Sequence, residues 1–347
     1  MLLDAASVWS KAWPILFAIL FFGVIILIHE LGHFTVAKLS GIKVNEFAIG
    51  MGPKLLSFGK GETKYSLRLI PMGGYVQMEG EDEASEDERA FNQKPVWKRF
   101  LVVIAGAVMN IILGLVLVAI LLTQQNLIGT TQIAGFHENA SSQSSGLQEG
   151  DVITHINGTS VWSDRDISFL MARDRDGVID FTVKRDGQKT ELKNVKFDTR
   201  EVDGQTVITF DFIIIGENKT FWNVLKTSFL ETASMARLVW LSLFDLVTGR
   251  FGLSDLAGPV GTVSVIAEAT TSGGFLNALS LMAFITINIG VFNLLPIPGL
   301  DGGRLFFLII EGIRRKPINP KREGMIHAIG LVLMFALIAV VTFNAVS

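Results

Sequence analysis

The stretch His29-Glu30-Leu31-Gly32-His33 sets two histidines four residues apart with a glutamate next to the first. On a helix, residues i and i+4 share one face. Two neutral imidazoles so placed suit a zinc ion, and the adjacent carboxylate can take a proton from a water that the ion polarises. The run before the motif, residues 12–28, has no ionisable side chain and reads as most of a membrane-spanning helix. Two imidazoles and a carboxylate are costly at membrane depth unless something compensates them, which marks the stretch as a functional site.

Two histidines do not complete a catalytic zinc centre, which normally has three protein ligands and one open position. The chain contains no cysteine, so the third ligand must be His, Asp or Glu. The candidate lies far downstream in Asn293-Leu294-Leu295-Pro296-Ile297-Pro298-Gly299-Leu300-Asp301-Gly302-Gly303. Two prolines remove backbone donors and stop a helix there, and the flanking glycines permit close approach. A broken backbone at membrane depth is tolerated only against protein or a water-filled cavity. By itself Asp301 would read as a helix cap; beside the histidine motif it reads as the missing ligand. Zinc at +2 is then balanced by ionised Glu30 and Asp301, which leaves the site neutral.

These residues need elements to carry them. The chain has 347 residues, 49% hydrophobic and 18% charged, with a mean hydropathy of +0.45. That is too apolar for an ordinary soluble domain and too charged for spans throughout, so spans plus a soluble domain are expected. A net charge of -3 gives no electrostatic case for nucleic acid as a partner. Four spans are expected, at about 13–36, 100–122, 276–295 and 325–341, the first a retained span rather than a cleaved signal peptide. Asn110, inside the second, reads as an interhelical hydrogen bonder. Basic residues crowd the loops after spans one and three, which puts both loops in the cytoplasm, the metal motif near the cytoplasmic side, and both termini outside.

Between spans one and two, Tyr65, Leu67 and Leu69 alternate with polar residues, and Gly73-Gly74 suggests a turn into a return strand, together a β-hairpin. The acidic residues from Glu79 to Glu88 read as a solvated loop. Residues 130–216 are polar, with short β-like runs at 152–156, 179–184 and 207–214 separated by turns such as Asn157-Gly158 and Asp186-Gly187. This reads as a β-rich domain inserted between spans. His137 and His155 within it read as ordinary surface or turn residues, and His327 as interfacial, with no carboxylate or histidine at metal spacing. Residues 221–247 carry Lys226, Glu231, Arg237 and Asp245 in an apolar background, the pattern of one or two amphipathic helices on a membrane surface. Gly258-Pro259 then marks a helix-breaking linker.

Together the motifs resemble the site-2 protease family of intramembrane zinc metalloproteases, in its bacterial RseP-type branch. The resemblance rests on the histidine motif, residues 47–53, Gly73-Gly74, a PDZ-like segment at 145–158, residues 258–261, and 293–303. It implies that His29, His33 and Asp301 ligate Zn2+ and that Glu30 is the general base. Asn293 would hold substrate backbone or a developing oxyanion, and Gly73 and Gly74 would lie in a membrane-reentrant, substrate-binding loop. The implied substrates are single-span membrane proteins already trimmed outside the bilayer, such as anti-sigma factors, or remnant signal peptides. The implied location is the bacterial inner membrane, with the PDZ-like domain extracytoplasmic. Better-known members from Gram-negative bacteria carry two PDZ domains, and this insert has room for one.

The expected architecture is thus a polytopic α-helical membrane protein with four transmembrane helices, a membrane-associated β-hairpin and an inserted PDZ-like domain. Residues 1–129 would hold the first two spans and the hairpin, 130–216 the β-rich domain, 217–269 the surface helices and linker, and 270–347 the last two spans. Two rival readings are a catalytically silent membrane scaffold that uses the PDZ-like domain, and a metal transporter. A scaffold has no need to keep both histidines, Glu30 and Asp301, and a transporter would show repeated halves that this sequence lacks.

Overall fold

The computed structural model describes residues 5–346 except 82, 84, 175, 203–204 and 250–273. The chain divides into two compact units, one of Met1–Leu117 with Leu238–Ser347 and one of Val118–Arg237.

The first unit is built on helices α1 (Ala5–Leu39) and α2 (Val96–Gln124), with the two long strands β1 (Val44–Phe58) and β2 (Lys64–Met78) between them in sequence. Among the described residues three helices are long and apolar enough to cross a membrane: Leu16–Leu39 within α1, the whole of α2, and α6, Gly274–Asn293. Val96–Gln124 covers the expected span 100–122, while Leu16–Leu39 and Gly274–Asn293 overlap 13–36 and 276–295 with their ends shifted by three and two residues. The expected fourth span falls within Pro320–Val346, whose side chains lie partly outside the described residues. The 258–261 linker lies outside them altogether.

Helix packing in this unit depends on small residues, as it does where lipid tails compete with side chains for apolar contact. Gly32 of α1 faces the backbone of α2, where an added Cβ would stand 2.5 Å from the Ala105 carbonyl oxygen. Gly290 of α6 meets α2 the same way, at 3.0 Å from the Ala107 carbonyl oxygen.

The two-strand prediction is corrected in one respect. Residues 74–77 do not return along 64–67. Residues 46–49 of β1 pair with 74–77 on one side and with 64–67 on the other, and 54–58 then pairs with 65–68. The sheet is therefore folded on itself, with 46–49 inside it and 74–78 at its margin. Glu46 explains why the fold closes this way. It is buried, 3.1 Å from Arg68 and 3.3 Å from Lys54, while Arg68 also donates to the Gly52 carbonyl at 2.8 Å and to Tyr75. Burial opposes its ionisation, but hydrogen bonds from Ser66, Tyr75, Lys54 and Arg68 outweigh that and hold the carboxyl at about 2. Phe47, Val76 and Met78 then join Val102, Val103 and Leu305 in one buried cluster, which fixes the sheet against α1 and α2.

The second unit is β-rich. Its six-stranded sheet runs β10 (Phe212–Glu217), β3 (Ile128–Phe136), β4 (Val152–Ile156), β6 (Val178–Arg185), β7 (Gln188–Lys196), with β5 (Thr159–Ser160) on β4. Both anticipated turns are present. Asn157 and Gly158 have φ of 46° and 76°, Asp186 and Gly187 of 51° and 83°, the paired positive values that a two-residue hairpin demands. Asp151 is fully buried and paired with Arg185 at 2.8 Å. The run expected at 207–214 is broken: β9 (Gln205–Ile208) pairs with β8 (Thr199–Val202), and β10 starts only at Phe212. Asp211 separates them because its carboxylate leaves the ladder to accept hydrogen bonds from Ser142 N and Oγ at 2.9 and 2.6 Å.

The short helices α3 (Ser141–Ser144) and α4 (Asp164–Ala172) also belong to this unit, and 221–247 forms the single helix α5 (Phe221–Val247). The charges that argue against a span there have partners. Glu231 lies 2.8 Å from Arg165, and Arg237 lies 3.0 Å from the buried Asp166 and covers the Trp162 ring. Burial raises the Glu231 carboxyl above the usual range, and Arg165 works against that rise. The opposite face of α5 leaves Phe221, Trp222, Leu225 and Phe229 exposed.

Candidate metal centre

Helix α1 delivers His29 and His33 from one face, one turn apart, as their spacing requires. Asp301 arrives from the other end of the sequence. Helix α6 stops at Asn293, the chain turns through Pro296 and Pro298, and Asp301 becomes the first residue of the next helix, α7 (Asp301–Arg314). Gly302 and Gly303 are needed here. A Cβ on Gly302 would run into the Leu295 carbonyl, and one on Gly303 would come within 2.6 Å of the Ile297 oxygen. His327, on the following helix α8 (Pro320–Val346), accepts a hydrogen bond from Gly299 N at 2.9 Å and so holds the turn from behind. His327 also has a carboxylate at helical spacing after all, Glu323 at 3.9 Å.

The three candidate ligand atoms meet. His29 Nε2 and His33 Nε2 are 3.2 Å apart, and Asp301 Oδ2 lies 3.2 Å from the first and 3.4 Å from the second. Tetrahedral zinc with bonds of about 2.0–2.1 Å would separate its ligands by about 3.3–3.4 Å, so this triangle has the size of one face of such a site. Asp301 is not a cap: Leu300 holds that position, and no side-chain cap bond forms. Its Oδ2 is buried and receives no hydrogen bond, a lone pair kept for a cation. Among the described residues these three form the one group of His, Asp and Glu side chains able to hold a metal ion. The donor set therefore fits zinc.

The surroundings add residues that spacing could not reveal. His33 Nδ1 donates to the Val102 carbonyl at 2.8 Å, which leaves Nε2 free to ligate. Asn110, fully buried on α2, sets its amide 3.3 Å from His29 Nδ1, so it is an interhelical hydrogen bonder whose partner is a candidate ligand. Gly106 is the floor of the site. A Cβ there would overlap His33 Nε2 and stand 2.7 Å from His29 Cε1. Nothing in the local sequence distinguishes Gly106 from other small residues of a span.

Glu30 makes no hydrogen bond or ion pair among the described residues. It faces the margin of the folded sheet, where a Cβ on Gly74 would lie 3.2 Å from Glu30 Cγ and 3.0 Å from the Ala48 carbonyl oxygen. Gly73 has φ of 92° and packs on Met51. Gly74 is therefore beside the glutamate rather than in a remote turn. Asn293, at the end of α6, is half-buried, and its side chain has no hydrogen-bond partner among the described residues.

Apolar helices long enough to span a bilayer, a triangle of zinc-sized edges and a free carboxylate beside it define a membrane metallohydrolase. The chain matches the model of Peptidase family M50 over residues 17–337, and it belongs to that family. It is 40% identical to a Clostridium acetobutylicum protein provisionally named a zinc metalloprotease, over 96% of this chain and 97% of that one. It is 31% identical to the regulator of sigma-W protease RasP of Bacillus subtilis, over 94% and 96%. With the zinc metalloprotease RasP of Bacillus licheniformis it shares 32%, over 94% and 97%. The chain is an intramembrane zinc metalloprotease, and zinc is its cofactor. The scaffold and transporter readings are set aside.

Proposed function

We propose that the chain cuts within the membrane-embedded part of single-span proteins of the anti-sigma-factor type, or of remnant signal peptides, with His29, His33 and Asp301 as zinc ligands. The observation that carries this is the meeting of the three ligating atoms beside a glutamate with no partner of its own. The name of the Bacillus subtilis relative, a regulator of a sigma factor, supports the anti-sigma reading.

When bound, zinc supplies a Lewis acid that polarises water and the scissile carbonyl. Glu30 takes the proton from the attacking water and passes it to the leaving amine. Asn293, with its amide free, donates to the substrate carbonyl as charge develops on oxygen. A substrate helix hides its peptide groups in its own hydrogen bonds, so it must be opened first. The margin at 74–78 adds an extended substrate segment to the sheet and lays it along Glu30. Residues 65–67 already pair on both sides and so offer no such edge.

The remaining assignments support the same reading. The fourth span is carried by α8, the site lies toward the cytoplasmic side, and the termini and β-rich domain lie outside. That domain, in the expected bounds 130–216, is of PDZ type, and β10, the apolar end strand of its sheet, is where an extended peptide would add. The exposed aromatic face of α5 rests on the bilayer surface. Trapping in membranes tests the function: the Glu30→Gln protein should retain single-span substrates that mass spectrometry identifies. A trapped set of soluble proteins, or of intact multi-span proteins alone, would refute the substrate class.

A further inference from the structure

Each histidine that ligates through Nε2 must carry its proton on Nδ1, and that N–H needs an acceptor. His33 has one in the Val102 carbonyl at 2.8 Å. For His29 the group opposite Nδ1 is the amide of Asn110, at 3.3 Å, and no other partner exists among the described residues. The amide nitrogen faces the ring, donor against donor, while Asn110 Oδ1 is buried with no partner. The two ends of an amide have nearly the same shape, so hydrogen-bond balance decides which faces the ring. Turning the amide over gives His29 its acceptor and leaves the number of unpartnered amide atoms unchanged.

We propose that Asn110 is a positioning residue of the metal centre: its amide oxygen accepts the Nδ1–H of His29, which fixes the tautomer and the ring plane that present Nε2 to zinc. The packing keeps the amide in place. Asn110 is fully buried, and a Cβ on Gly290 of α6 would stand 3.3 Å from Asn110 Cβ, so the neighbouring helix closes over it. The inference rests on the proposed ligand set and adds a residue that no ligand motif contains.

The test uses the full chain, purified in detergent in the Glu30→Gln background so that turnover does not interfere. Zinc affinity is read by competition with a chelator, and thermal unfolding is followed on the zinc-free protein. Asn110→Leu, similar in volume and without an acceptor, should weaken zinc binding about 10–100-fold while the zinc-free protein unfolds no earlier than the parent. Asn110→Asp, which keeps an acceptor oxygen, should bind zinc at least as tightly as the parent within about threefold, as carboxylate–histidine–zinc arrangements do. If the Leu variant does not fold, Asn110→Ala is read in its place. Parent-like affinity in Asn110→Leu would overturn the inference, and so would an equal loss in Asn110→Asp. A parent protein that binds no zinc would instead overturn the metal centre itself.

Discussion

Gly106→Ala adds one methyl group to the floor of the site and tests whether the α1–α2 contact shapes it. The new carbon would overlap His33 Nε2 and lie 2.7 Å from both His29 Cε1 and His33 Cε1, where ordinary contact begins at 3.4 Å. The rings, or the helices that carry them, must therefore move by at least ~0.7 Å. Metal–ligand distances tolerate about 0.2 Å, so the displacement cannot be absorbed within the coordination sphere. Overpacking of this kind costs about 1–3 kcal/mol, which corresponds to a zinc affinity about 5–150-fold weaker. Chelator competition on purified protein reads the affinity, and cleavage of a model transmembrane substrate should fall with it. Gly312→Ala is the control, because its new carbon meets nothing closer than Val96 Cγ1 at 3.7 Å. Parent-like zinc binding in Gly106→Ala would show that the rings are not held as described.

Two further outcomes follow from the folded sheet. Gly74→Ala puts a carbon 3.2 Å from Glu30 Cγ and 3.0 Å from the Ala48 carbonyl oxygen, so it should lower kcat/KM about tenfold with zinc content unchanged; zinc loss in step with activity would contradict the placement. Glu46 is held at about 2 against an ordinary 4.5, so its stabilisation of the sheet is present above about pH 4.5 and is lost as the pH falls toward about 2. Pepsin cutting within 44–78, normalised at each pH to an unfolded control, should therefore rise over that interval, and in Glu46→Gln the rise should be smaller, the remainder coming from Glu62, which is also held at about 2.

The candidate ligands were legible because metal chemistry restricts residue type and spacing within a helix, and because Pro296 and Pro298 announce a break wherever they fall. The turns at Asn157-Gly158 and Asp186-Gly187 were legible for a similar reason, since few residues accept two successive positive φ values. The folded sheet was not. Residues 65–69 alternate as a hairpin arm would and Gly73-Gly74 reads as its turn, and nothing local says that 46–49 enters between 64–67 and 74–77; the Glu46–Arg68 pair across 22 residues decides it. Gly106 and Asn110 were illegible as site residues for the same cause: small and polar positions in a span acquire meaning only from the neighbouring helix. Asp301 shows the two cases at once, visible as a ligand type and ambiguous with a cap until its oxygen met the two imidazoles.

In the proposed mechanism His29, His33 and Asp301 hold the metal while Glu30, which holds nothing, moves the proton. Paired measurement of zinc stoichiometry and peptide-bond cleavage on purified Glu30→Gln protein tests it most directly. One zinc per chain is expected, as in the parent, with cleavage reduced by at least about 100-fold. Cleavage at the parent rate, or loss of the zinc along with the activity, would contradict it.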